Sequence, residues 1–174
     1  VYKTQRWKFG GYRINVPPGS YKLTLKFSDS WSTSKGKRVF DVLVQGKKVV
    51  DKLDIVDRVG KDHALDLTFD NVLVEDQLVI ELVRHAGETS LGAIVIEGDG
   101  YTRKINCGGP AYLDYESDWK SGQSAANNDL AGVVFDTELL RYAAGWSGGF
   151  VQLRGVAFDG GHGVNPGISG TQIM

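Results

Sequence analysis

Cysteine is nearly absent from the 174 residues: Cys107 stands alone, which excludes an internal disulfide framework and a cysteine-built metal site. Histidine is scarce too. His63, His85 and His162 lie far apart, with no His-x-x-x-His pair of the kind that holds zinc. No apolar run approaches the ~20 residues that a membrane-crossing helix needs, so membrane insertion is not expected. Neither charge dominates: 20 Lys and Arg face 21 Asp and Glu, for a net charge of −1. The basic residues are scattered, Lys35, Lys37 and Arg38 being a typical short group, and without a basic face nucleic acid is not an expected partner. The sequence also lacks a Gly-x-Ser-x-Gly elbow and a phosphate loop of recognised form.

What is present suits a folded domain. Hydrophobic residues make up 41% and charged residues 24%, an ordinary mixture able to bury a core. The 23 glycines outnumber four prolines without periodicity, and they fall between apolar runs, as turns between short strands do. Tyr21, Leu23, Leu25 and Phe27 alternate with Lys22, Thr24 and Lys26, the period of a strand with one buried face. Turn chemistry at Pro17-Pro18-Gly19-Ser20 separates that strand from Tyr12 to Val16. Arg38 to Val44, a turn at Gln45-Gly46-Lys47-Lys48 and Val49 to Leu53 read as a hairpin. Phe40, Val42 and Val44 share one of its faces, and Val39 and Leu43 on the other suggest a central strand. Leu78, Ile80 and Leu82, then Ala93 to Ile96, continue the series, and no stretch of 11–98 carries a helical period. Short strands without intervening helices predict an all-β, antiparallel β-sandwich.

Asp99-Gly100 marks a break, followed by a strand from Tyr101 to Cys107 and the loop Gly108-Gly109-Pro110. Residues 114–130 are polar and read as a loop or linker. Beyond them come strand-like pieces at Gly132 to Phe135 and Phe150 to Phe158, one short helix from Thr137 to Ala144, and a flexible Gly-rich loop at Asp159 to Gly163. The division expected is 1–98, 99–130 and 131–174. With Val1 first and Met174 just after that loop, the chain is expected to be a fragment of a larger protein.

Three runs carry a resemblance: Tyr21-Lys-Leu-Thr-Leu-Lys-Phe-Ser-Asp, Gly36-Lys-Arg-Val-Phe-Asp-Val and Leu53-Asp-Ile-Val-Asp-Arg-Val-Gly. With Val1-Tyr-Lys-Thr-Gln-Arg-Trp before them and Gly92 to Gly98 after, they resemble the malectin domain across about residues 1–98. The resemblance implies a lectin-like β-sandwich that binds carbohydrate, as modules attached to bacterial glycoside hydrolases do. The family's opening strand is missing from the front, yet Ile105-Asn-Cys-Gly-Gly-Pro-Ala-Tyr-Leu-Asp is similar to it. That strand either starts a second unit or, in a permuted order, completes this one. The edge it would otherwise leave uncovered favours completion. The segment from Val134 to Phe150 is unlike malectin and weakly resembles uncharacterised segments of large extracytoplasmic bacterial proteins that carry c-type haem elsewhere. No Cys-x-x-Cys-His occurs here, so no haem or other cofactor is expected.

Sugar recognition needs an aromatic face for the apolar side of a pyranose and planar polar groups for its hydroxyls. Trp31 sits in the polar loop Ser28-Asp-Ser-Trp-Ser-Thr-Ser-Lys-Gly, where an indole has no periodic reason to be. The resemblance places it, and Trp7, at sugar-contacting aromatic positions. The competing readings are an indole folded over the sheet edge for Trp31, and an edge aromatic beside Phe9 and Tyr12 for Trp7. Asp29 is either a hydroxyl acceptor or a cap for its own loop. Glu88, in His85-Ala-Gly-Glu, stands one position from where the family places an acidic contact, and Tyr112, Tyr115 or Trp119 could supply aromatic contacts if the late segment folds back. Arg38, Asp41, Asp54, Asp57 and Arg58 read as structural ion pairs and turn caps, with no metal site expected from the Asp54–Asp57 spacing. Cys107 reads as a buried structural thiol.

The expected function is therefore a non-catalytic glucan-oligosaccharide-binding module of a larger secreted or surface protein, extracytoplasmic, whose partners are an oligosaccharide or polysaccharide and the other domains of the parent. The alternative is a β-sandwich spacer with no ligand of its own.

Overall fold

Alternating apolar residues set the strands, and their buried faces set the layers. The computed structural model describes residues 1–98 and 100–118, and the backbone alone of two later strands. In chain order the strands are β1 (Arg6–Trp7), β2 (Gly11–Asn15), β3 (Gly19–Phe27), β4 (Val39–Val44) and β5 (Lys47–Leu53). After a helical turn, α1 (Ile55–Val59), come β6 (Leu65–Val74), β7 (Gln77–Ala86), β8 (Ser90–Leu91), β9 (Ala93–Gly98), β10 (Tyr101–Asn106) and β11 (Glu116–Ser117). The two later strands are β12 (Val134–Arg141) and β13 (Ser147–Leu153).

They form one sheet in the order β11-β10-β9-β3-β6, a second in the order β12-β13-β2-β7-β4-β5, and a two-stranded ribbon of β1 with β8. Pairing is antiparallel except for β10 with β11 and β13 with β2, which run parallel. The core lies between the two sheets: Leu23, Leu25 and Phe27 of β3 and Ile94 and Ile96 of β9 meet Ile14 of β2, Phe40 and Val42 of β4 and Leu78, Ile80 and Leu82 of β7. Phe27 and Phe40 touch across the layers, ring centroids 6.1 Å apart. Each such side chain contributes about 1.5–3 kcal/mol by leaving water. β4 has partners on both sides, as its two apolar faces suggested.

β10 pairs along its whole length with β9, Tyr101 opposite Gly98 through Asn106 opposite Ala93, and Ile105 and Cys107 are fully buried in the same core. The chain then turns back as a strap, residues 107–118, whose β11 lies beside β10.

Several elements depart from the sequence expectations: β11 falls in the stretch 114–130 read as loop or linker, the ribbon strands β1 and β8 were not anticipated, and three longer elements differ. Val134–Arg141 is strand β12, paired with β13, and not part of a helix. One short apolar stripe cannot pay for helix nucleation when a partner strand offers a ladder of backbone bonds. α1 was not anticipated; Asp54 caps it by accepting from the Asp57 amide at 3.1 Å. β6 was not anticipated either. Its inward set runs Leu65, Leu67, Phe69 and then changes phase to Val72 and Val74. The change falls at a bulge where Asn71 has φ +57° and the register with β3 shifts between Tyr21 and Leu23. An extra residue of this kind breaks the period of two. Trp119, His162 and the Gly160–Gly163 loop lie outside the described residues.

Candidate functional site

Four segments meet at one end of the sandwich around a cleft of about 730 Å³: the N-terminal stretch 3–7, the loop after β3, the turn after β7 and the start of the strap. Trp7 and Trp31 both line it, 60% and 79% exposed. Neither indole is folded into the core. Around them stand Gln5, Thr33, Lys37, Arg38 and Glu88, a mixture of planar amide, guanidinium, carboxylate, hydroxyl and ammonium groups.

The loop carrying Trp31 is organised by Asp29, which is fully buried. Its Oδ1 accepts from the amides of Trp31 at 2.9 Å and Ser32 at 3.0 Å, and its Oδ2 from the Ser32 hydroxyl at 2.6 Å. Arg38 Nε lies 3.4 Å from the same carboxylate. Both carboxylate oxygens are thus engaged inside the fold, and Asp29 caps its own loop. A direct contact to a ligand hydroxyl would need it exposed.

Trp7 is held from farther away. It pairs with Ser90 in the β1–β8 ribbon, while the buried Thr89 hydroxyl accepts from the Phe9 amide at 3.1 Å and donates to the Phe9 carbonyl. Arg38 also donates to the Gln5 side chain at 3.3 Å, so one guanidinium ties the N-terminal stretch to the Trp31 loop. Beneath it lies a buried polar cluster. The fully buried Asp118 accepts from Arg6 Nε at 2.9 Å, the Tyr12 hydroxyl at 2.7 Å and the Gly108 amide at 2.9 Å, and Arg6 Nη2 lies 2.8 Å away. Burial opposes the Arg6 charge, but the Asp118 carboxylate outweighs it and holds the guanidinium above its usual value. Burial first, then the Asp118 charge, pushes the Tyr12 phenol and the Cys107 thiol well up. Cys107 is thus a buried, protonated thiol, as its sequence context suggested.

Two glycines make the cleft possible. Gly87 has φ +61° and a Cβ there would overlap the Lys37 carbonyl; Gly108 has φ +72° and a Cβ would overlap the Gln5 carbonyl. Both positions bring backbone against backbone where only glycine fits.

Glu88 lines the cleft, with Oε1 3.4 Å from Arg84 and Oε2 buried without a hydrogen-bond partner. Tyr112 is exposed, but it stands in a tight turn with Tyr115 and does not line the cleft. The structure therefore brings together Trp31, Trp7 and Glu88, sets Asp29 behind them, and leaves Tyr112 outside. Gln5, Arg38 and Gly108 at the cleft were not singled out as contacts from the sequence; the Gly108-Gly109 pair was the available signal. Of the five residues expected in ion pairs or caps, Arg38, Asp41, Asp54 and Asp57 are so engaged, and Arg58 lies in the last turn of α1. Among the described residues no group of three or more His, Cys, Asp or Glu could hold a metal ion, and no helix is long and apolar enough to cross a membrane.

This geometry can be set beside known proteins. A model of the malectin domain matches residues 1–106, well over half of the chain, and one of a domain of unknown function (DUF6797) matches residues 133–174. Malectin-A of Xenopus laevis is 39% identical over 69 residues, 38% of this chain and 25% of that protein. Malectin of Homo sapiens is also 39% identical over 69 residues, 38% of this chain and 24% of its own length. The chain thus spans about a quarter of the length of these curated relatives. Among solved structures, a Bacteroides uniformis β-glucuronidase superposes with a TM-score of 0.51 at 22% identity, over 56% of this chain and 12% of that one, a likeness of fold. With its two-layered sheet and a family match that runs from Val1 to Asn106, the chain belongs to the malectin domain family.

Proposed function

We propose that the cleft binds carbohydrate, with Trp31 and Trp7 as stacking faces and Gln5, Thr33, Lys37 and Glu88 as hydroxyl partners, and that the chain is a non-catalytic glucan-oligosaccharide-binding module. The observation that carries this reading is the exposure of two tryptophans on one concave, polar-lined surface. Exposed indoles held by their backbone lose little entropy when a sugar ring stacks on them. The buried, unpartnered Glu88 oxygen is an acceptor waiting for a donor, and an unsatisfied acceptor costs free energy until one arrives. Membership of the malectin family supports the same ligand class. A spacer without a ligand would be expected to pack Trp31 against protein, and its exposure speaks for a ligand instead.

A binding role rather than glycoside hydrolysis is supported by the lining itself. Hydrolysis ordinarily takes a pair of carboxylates across the scissile bond, and Glu88 is the one carboxylate among the described residues of the cleft. The module is read as part of a larger, extracytoplasmic protein; the second family match beside it supports the multidomain part of that reading. Calorimetric titration with maltotetraose and cellotetraose, after a glycan array, tests the assignment. Trp31→Ala is expected to weaken binding about 30-fold, some 2 kcal/mol, with the melting temperature unchanged. A folded wild-type protein silent across the array overturns it.

A further inference from the structure

Asp118 is fully buried and accepts three hydrogen bonds, yet it lies beyond the residues matched by the malectin model and the proposed sugar chemistry does not use it. Its partner Arg6 sits between Gln5 and Trp7, two residues that line the cleft. In extended chain, successive side chains point to opposite faces. Arg6 turned inward therefore turns Gln5 and Trp7 outward, and a slip of one residue would bury the indole instead. The same carboxylate accepts from the amide of Gly108, which itself lines the cleft against the Gln5 backbone. The geometry points to Asp118 as a positioning residue: through Arg6 it sets which face Trp7 and Gln5 present, so the 107–118 strap is part of the binding site. This rests on the carbohydrate reading for its ligand and on the cluster alone for its geometry.

The test uses the full chain and two readouts. In the ligand-free protein, Asp118→Asn is expected to shift and broaden the Trp7 indole N–H resonance in NMR while leaving that of Trp31 in place. In titrations with maltotetraose or cellotetraose, Asp118→Asn is expected to weaken binding about tenfold. In that background Trp7→Ala adds at most about twofold, whereas Trp31→Ala keeps its full effect. A merely structural role would lower the melting temperature and leave the two tryptophans' effects multiplicative. Where Asp118→Asn does not fold, Arg6→Met/Asp118→Leu replaces the buried pair by apolar groups and is put to the same readouts. An unmoved Trp7 resonance in a folded variant overturns the inference, as does full multiplicativity with Trp7→Ala. If neither saccharide binds the wild type, the carbohydrate reading falls and the NMR readout alone decides the positioning role.

Discussion

Trp31 is held by its own neighbours, whereas Trp7 is held by two distant parts of the chain. Around Trp31 the decisive contacts run from Asp29 to residues two and three positions on. Around Trp7 they come from Thr89, Ser90 and, through Arg6, Asp118, separations of 80 residues and more. The first region is a mostly local turn, tied to the rest of the sandwich by Arg38 and by the Asp62 amide, which donates to the Asp29 carbonyl at 3.0 Å. The second exists only once β8, β10 and the strap have assembled. A binding surface can thus be half a loop motif and half a product of the whole topology.

The comparison can be broken at either side. Asp29→Ala leaves Arg38 buried without its carboxylate and two amides without their acceptor; a loss of about 3 kcal/mol in denaturant melts is expected. In that background Trp31→Ala should have little further effect on affinity. Gly108→Ala forces a side chain into a left-handed backbone against the Gln5 carbonyl, and is expected to cost about 3 kcal/mol or slightly less, read by the same melts. Thr89→Val removes both bonds to Phe9 and is expected to cost about 2 kcal/mol, with saccharide affinity falling through Trp7 while the Trp31 contribution stays intact.

The smallest effect lies away from the cleft and serves as the control. Burial alone would raise the Asp41 carboxyl, but Lys48, the Lys52 amide and His85 hold it below the ordinary aspartate value of 3.8. A depressed folded pKa contributes stability that is full above that value and is lost as pH falls through the folded one. The melting temperature of the wild type is therefore expected to fall more steeply than that of Asp41→Asn below about pH 4. Saccharide affinity at neutral pH should be the same in both.

Legibility in the sequence followed the range of the forces involved. β3, β4, β7 and β9 each carry their period of two within a few residues, so the sandwich could be read directly. β6 could not, because the bulge at Asn71 splits its apolar set into two phases, neither long enough to stand out. The helix expected from Thr137 failed for the reverse reason: one short apolar stripe, Leu139, Leu140 and Ala143, carries less weight than a partner strand. At the site, Trp31 was conspicuous because an indole in a polar loop has no structural excuse. Asp29 was ambiguous because the same short carboxylate can cap a turn or meet a ligand, and only burial separates the two. The Arg6–Asp118 pair spans 112 residues and carries no local signal at all.

The lone thiol has a practical consequence. Cys107 is sealed where β10 leaves the sheet, next to the glycine that lines the cleft, and burial keeps it protonated. A thiol reagent can therefore reach it only when the end of the sandwich opens, so its labelling rate is a clock for that opening. Because the chain has no second cysteine to confuse the reading, a ligand seated in the cleft would announce itself by slowing this clock, without any label on the sugar.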